Sequence, residues 1–299
     1  MAIDWKNRGI QWTMLLILGF IWGTSYILMK RGLIAFSAGQ VASLRLSIAF
    51  IALLPWTIRN LNKLNRRNFL SVFLVSLVGI GIPAFLFTNA QTRVNSSIAG
   101  VLNSLTPLFT LIIGVLMYKA KSNRISLIGV LLGLAGASAL IVQTHGFAIS
   151  DINGYALLIV LATICYGINS NEIKYKLQGM NGLEVTSLMM VFIGPPAIIY
   201  LFASGFNPVH LTHPESMGLI YIALLACFGT VVAVVIFNQL LRYISAVSAS
   251  SVTYISPAFA IMWGLIDGEG FGIAEMVCLI LIISGVYLVN KNKINEKTS

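Results

Sequence analysis

The residues with most to explain are the polar ones inside long apolar runs, and Arg45 stands first among them. It lies about seven residues into the run 38–58, roughly 10 Å from the nearer end at about 1.5 Å per helical residue. A charge at mid-bilayer costs about 2.5–3.5 kcal/mol on insertion scales. Such a residue either attracts a substrate carboxylate or braces the outer gate, or else it snorkels or bonds helix-end carbonyls as a structural group. Ser25, Asn103, Thr106, Asn169, Asn171, Tyr254 and Ser256 also lie inside runs, and Asn89 and Asn238 end them. Their amides and hydroxyls can line a cavity and bond the polar end of a solute. The alternative is bonding between helices, worth about 0.6 kcal/mol on average. Trp22 and Tyr166 can stack on a solute, close a gate or simply pack. Pro107 and Pro257 lie mid-run, where each removes an N–H and kinks its helix; they read as gating hinges or as static kinks. Gly79-Ile80-Gly81-Ile82-Pro83 and Gly194-Pro195-Pro196 read as further breaks, tolerated where neighbours or cavity water satisfy the freed carbonyls.

The residue types that do covalent or metal chemistry are not arranged for it. Cys165, Cys227 and Cys278 fall inside apolar runs without CxxC or Cys/His spacing, so they read as small buried apolar residues. His145, His210 and His213 fall between runs. None of the nine acids lies mid-run: Asp4, Asp151, Glu172, Glu184, Glu215, Asp267, Glu269, Glu275 and Glu296. No catalytic site, metal site or cofactor is expected. An exporter that exchanges a proton for a cationic drug needs a buried carboxylate. The pattern therefore favours a solute that bears a carboxylate, or is neutral or zwitterionic. Proton coupling would fall to an end-of-run acid such as Glu172 or Glu269.

The elements that carry these residues follow from composition. The chain has 299 residues, 58% hydrophobic and 9% charged, with mean hydropathy +0.89. Soluble domains are about 25% charged, so this chain cannot cover a water-facing surface. Ten apolar runs are long enough to cross a bilayer as helices: 10–29, 38–58, 69–88, 97–118, 125–143, 153–171, 183–203, 216–238, 247–266 and 273–290. The first is too long for a signal-peptide core and is read as retained. The tail 291–299 is polar and read as a disordered cytoplasmic segment. With the N-terminus inside, 15 of the 19 Lys and Arg fall in inner segments and 3 (Lys30, Arg31, Arg93) in outer loops, Arg45 being the last. The positive-inside rule then places both termini in the cytoplasm. Topology thus explains the net charge of +10, and nucleic acid is not an expected partner.

The runs form two similar halves, 1–146 and 147–290. Trp22-Gly23-Thr24-Ser25 with Lys30 matches Tyr166-Gly167-Ile168-Asn169 with Lys174 at an offset of 144. Thr106-Pro107 with Gly114 matches Ser256-Pro257 with Gly264 at 150, and Asn89 with Arg93 matches Asn238 with Arg242 at 149. Five runs per half is odd, so the second copy enters the membrane in the opposite sense. Inverted repeats with a midplane site are an architecture of secondary transporters. The expected fold is therefore an all-α polytopic membrane protein of ten transmembrane helices in two inverted five-helix repeats.

Trp22-Gly23 through Lys30, Arg45, Pro107 and Pro257 together resemble the drug/metabolite transporter superfamily, EamA type, over nearly the whole chain. That resemblance implies a ten-helix carrier, often an exporter of amino acids or related metabolites. It implies a cavity lined by spans 1, 3, 4, 6, 8 and 9, with spans 5 and 10 as scaffold or dimer contacts. The family often ends spans 4 and 9 with Gly-Glu. Gly268-Glu269 keeps the pair in the second copy, whereas Lys119 replaces the acid in the first.

The expectation is an efflux carrier in a bacterial inner membrane, working by alternating access on a small-molecule substrate. The substrate-binding candidates are Trp22, Ser25, Arg45, Asn89, Asn103, Tyr166, Asn169, Asn238, Tyr254 and Ser256. Gly129, Gly133 and Gly136 form a small-residue face for close packing within the chain or in a homodimer. A multidrug carrier of the same fold, a passive channel, a scaffold and a lipid-acting membrane enzyme remain as other readings. The last lacks any convergent acid, histidine or nucleophile–base pair.

Overall fold

A computed structural model of the chain describes residues 4–94, 96–121, 124–145, 154–209, 211–266 and 273–291. Gly268-Glu269, His210, Asp151, Asp267, Glu296, the boundary at 146/147 and the tail from 292 lie outside the described residues. The described residues are helical, with no strand among them. The helices are α1 (Arg8–Gly32), α2 (Ala38–Asn60), α3 (Phe69–Ser76), α4 (Ile82–Ala90), α5 (Ser96–Asn103), α6 (Thr106–Tyr118), α7 (Arg124–His145), α8 (Gly154–Lys176), α9 (Gly182–Ala203), α10 (His213–Leu224), α11 (Ala233–Leu241), α12 (Ala246–Ser250), α13 (Val252–Ile266) and α14 (Ile273–Lys291). Among them, α1, α2, α8 and α9 are each long and apolar enough to cross a membrane. So are the stretches Phe69–Ala90 (α3–α4) and His213–Leu241 (α10–α11).

Local sequence sets the ends. Ser37 with Gln40, and Asn181 with Glu184, form capping boxes that start α2 and α9, and these two starts are themselves 144 residues apart. Each box satisfies two orphan N–H groups. Inside the long stretches the irregularities also fall in pairs. Leu77–Gly81 and Leu225–Val232 are π-helical, so α3–α4 and α10–α11 each carry one widened segment. In the first, the Ile82 N–H reaches back to Leu77 O, just ahead of Pro83, which has no N–H to give.

The breaks in runs four and nine fall short of their prolines. Run four stops at Asn103 and restarts at Thr106, which puts Pro107 in the first turn of α6, where a missing N–H costs nothing. Run nine breaks at Ser251, and Pro257 lies inside α13. Side chains satisfy the carbonyls that these prolines free: the Thr106 hydroxyl donates to Asn103 O at 2.7 Å and the Ser104 hydroxyl to Thr253 O at 3.4 Å. The break thus lies two to three residues before Pro107 and six before Pro257. Gly194-Pro195-Pro196 makes no break, for α9 runs through it.

Glycines let helix pairs close on one another. α1 crosses α13 at Gly23, against Ser256 O and the Phe259 side chain, and α8 crosses α6 at Gly167, against the Phe109–Thr110 backbone. The Gly129–Gly133–Gly136 face of α7 is filled by α14 at Gly129 and Gly136, where Gly285 also meets the Gly133 backbone, and by Tyr254 of α13 at Gly133. Within one chain that face is already occupied.

Candidate functional site

Seven runs converge on a central cavity of about 100 Å³, room for several waters. Trp22, Ser25, Tyr26 and Met29 of α1 form one wall, and Tyr166, Asn169 and Ser170 of α8 form the facing one. Arg45 enters from α2; Gly79, Ile80, Ala84 and Phe87 from the third run; Asn103 and Thr106 from either side of the α5–α6 break. Gly229, Val234, Phe237 and Asn238 of the eighth run, with Ser250, Val252 and Thr253 of the ninth, complete it. None of the lining residues comes from α7, α9 or α14.

The polar groups of this cavity are incompletely used. Arg45 Nε donates to Thr230 Oγ1 at 2.6 Å, and Thr230 is fully buried, so the guanidinium is fixed by one of its five donors. The one ion pair among the described residues is Lys63–Glu184, at helix ends; Arg45 has no carboxylate partner there. Tyr166 lies near the guanidinium, and Tyr26 lies near both Tyr166 and Asn103. Asn238, 1% exposed, donates to Thr186 Oγ1 at 3.0 Å. Thr186 spends its own proton on Gly182 O, so it can only accept, and the Asn238 amide must point its nitrogen there. Its Oδ1 is left buried without a donor, and so is that of Asn169. Buried acceptors normally have partners; these two belong to residues of the cavity lining and have none among the described residues.

The two walls are built alike. The Trp22 indole N–H donates to Gly229 O, in the π segment of the eighth run, at 3.1 Å, while the Asn169 side chain rests on Gly79 in the π segment of the third. Trp22 packs on Phe237 at 5.4 Å, and Tyr166 stacks on Phe87 at 6.0 Å. The absent Cβ at Gly79 and Gly229 is what admits the Asn169 and Ser25 side chains.

Of the ten candidate binding residues, seven line the cavity: Trp22, Ser25, Arg45, Asn103, Tyr166, Asn169 and Asn238. Tyr254, Ser256 and Asn89 do not. Tyr254 lies flat on Gly133 and donates to Val130 O at 2.9 Å, bracing α13 against α7. Ser256 is buried at the α1–α13 crossing and turns back on Val252 O. Asn89 is exposed and bonds its own helix at Phe85 O. Its pairing with Asn238 is one residue out of register. The turn after α4 has N–H···O bonds Thr92–Asn89, Arg93–Ala90 and Val94–Ala90. The turn after α11 has Arg242–Gln239, Tyr243–Leu240 and Ile244–Leu240. The offset is therefore 150, which matches Asn238 to the buried Thr88 and Asn89 to Gln239. One residue on a helix is a rotation of about 100°, enough to take a side chain out of a cavity. Pro107 and Pro257 are also outside the cavity wall.

The cavity residues not expected from sequence include Tyr26, Met29, Ser170, Phe87, Phe237, Ser250 and Thr253. The first three follow Trp22 and Tyr166 at helical spacing, so stepping along one face would have found them. The end-of-run acid Glu172 is buried below this wall, accepting from Ser71 at 2.6 Å and from Tyr118.

The model of the EamA-like transporter family matches residues 9–142 and again 153–291. The chain belongs to that family. This EamA-like chain is 28% identical to the uncharacterized inner membrane transporter YedA of Escherichia coli strain K12, over 93% of its own length and 90% of that protein. It is 23% identical to the WAT1-related protein At3g02690, chloroplastic, of Arabidopsis thaliana, over 94% and 69% of the two chains. A solved crystal structure superposes with a TM-score of 0.73 at 16% identity, covering 95% of this chain and 98% of the other, which is a likeness of fold. The chain is a multi-pass membrane transporter, and these likenesses point away from an enzyme.

Proposed function

We propose that this transporter is a secondary carrier of a bacterial inner membrane that exports amino acids or related small carboxylate-bearing metabolites. The observation that carries this reading is Arg45: a guanidinium at the cavity wall, tethered at one nitrogen and without a carboxylate partner among the described residues. A planar fork with free donors matches a carboxylate at two points. The orphan acceptors of Asn169 and Asn238 offer bonds to an N–H or O–H of the same or a second solute group. The described lining holds no carboxylate, so a cationic drug would find no countercharge.

Transport proceeds by alternating access between two inverted five-helix halves. The matched π segments, the breaks at Ser104–Leu105 and Ser251, and the α1–α13 and α6–α8 crossings at Gly23 and Gly167 support that arrangement. They supply bending points and contacts in both copies. The test is flux in proteoliposomes loaded with a panel of amino acids. Saturable efflux, competed by carboxylates and weakened by Arg45→Lys, is expected; no saturable flux of any panel member by folded protein would sink the reading.

A further inference from the structure

The two ends of the molecule are not in the same state, although their residues correspond. Lys174 of α8 is half-buried and donates to Leu241 O, the last carbonyl of α11, at 2.9 Å. A cation on the C-terminal carbonyls of a helix satisfies an orphan acceptor and complements the helix dipole. Beside it, Gln239 Oε1 accepts the N–H of Gly182, the first residue of α9, at 2.8 Å. Lys174 thereby ties α8 to the eighth run, and Gln239 ties the eighth run to α9. Both bonds close the end that the Lys/Arg bias places inside.

The corresponding residues at the other end are Lys30 for Lys174 (offset 144), Asn89 for Gln239 and Gln91 for Leu241 (offset 150), and Ala38 for Gly182 (offset 144). The same turn geometry follows α4 and α11, and the same capping boxes start α2 and α9. The frame for both bonds therefore exists at this end too. Yet Lys30 and Asn89 are exposed. Lys30 makes no side-chain hydrogen bond or ion pair within the described residues, and the Asn89 side chain bonds only the Phe85 carbonyl of its own helix there.

We propose that Lys174–Gln239 and Lys30–Asn89 are reciprocal latches of the transport cycle, one closing each side of the cavity. In the arrangement described, the Lys174 latch is shut and the Lys30 latch is released. In the opposite arrangement Lys30 caps the Gln91 carbonyl, Asn89 accepts from the Ala38 N–H, and Lys174 and Gln239 let go. This rests on the two-halves reading of the preceding section and gives Asn89 a gating role in place of solute binding. Only one latch engages at a time, because the half that bends to close one end opens the other.

Pulsed EPR distances in lipid nanodiscs test this without a known solute. The native cysteines are replaced, and spin labels are placed at exposed Arg31 and Thr92 for one end, and at Lys176 and Arg242 for the other. Lys174→Met with Gln239→Leu removes the shut latch. The loss of a charge-assisted bond and a second bond shifts the balance roughly tenfold or more. The Arg31–Thr92 distance shortens and the Lys176–Arg242 distance lengthens. Lys30→Met with Asn89→Leu does the opposite and abolishes any short Arg31–Thr92 population. Lys174→Arg, which keeps the donor, restores the unsubstituted distances, so simple unfolding is told apart by this variant and by gel-filtration profile. Unmoved distances in the first double variant, or both distances moving the same way, overturn the latches. Flux measured on the same samples separates the two readings. Saturable flux with unmoved distances removes the latches and keeps the carrier; reciprocal distances without flux keep the latches and remove the carrier.

Discussion

Replacing Arg45 with lysine keeps a positive charge in the cavity and removes the fork. In the structure the guanidinium is held at one edge by Thr230, 2.6 Å away; on the proposed function its remaining donors serve the solute carboxylate. A lysine ammonium is a point charge on a flexible stem and cannot reproduce a planar two-point contact. A hydrogen bond to a charged group is worth about 1.5–3 kcal/mol, so losing the second contact weakens a carboxylate ligand by roughly 10- to 150-fold. A matched carboxamide, which never used the charge, loses less than about threefold. Thr230→Ala lies between, since the guanidinium stays but is no longer held in line. Thermal-shift titrations with paired acids and amides measure these ratios, and competition for flux in proteoliposomes checks them. An equal loss for acid and amide would refute the carboxylate role and leave Arg45 as a brace between α2 and the eighth run.

Tyr254→Phe removes the bond to Val130 O and lowers stability by about 0.6–1.5 kcal/mol; the thermal midpoint falls while ligand affinities are unchanged, which separates a brace from a binding residue. Gly285→Val drives a side chain into the Gly133 backbone and the Gly129 carbonyl. Backbone cannot yield as a side chain can, so the cost is at least about 1–3 kcal/mol, read as a sharp loss of folded yield after gel filtration. Trp22→Phe gives up the bond to Gly229 O, costing roughly 0.5–1.5 kcal/mol, and faster hydrogen exchange confined to 225–232 is the expected signature.

Much of the architecture was legible because bilayer constraints act on gross features. Apolar runs about twenty residues long must become helices in lipid. What sequence could not give was the point at which a helix departs from ideal geometry. Pro107 and Pro257 are visible, but the chain bends before them, because Thr106 and Ser104 can satisfy the carbonyls that the prolines free. The π segment at Leu225–Val232 contains no proline at all. It exists within a tertiary fit in which Trp22 supplies a donor to Gly229 O.

The site shows the same division at finer scale. Arg45 and the amides of Asn169 and Asn238 were recognisable because an unpaired polar group in lipid demands a reason. Tyr254 failed as a cavity residue although it is the same kind of group one position from Thr253, which does line the wall. Depth in the membrane is read easily from position in a run; azimuth is not, since each residue turns the helix by about 100°. Asn89 is the sharpest case. A match at 149 makes it the twin of Asn238, and a match at 150 makes it the twin of Gln239. The paired turns match at 150, and with that single step the proposed role of Asn89 moves from the solute to the gate. Internal repeats therefore place function only as well as their register is known. In this chain the register is fixed by backbone hydrogen bonds in two turns, where the residue types differ (Arg93 opposite Tyr243) and comparison of letters alone has nothing to hold.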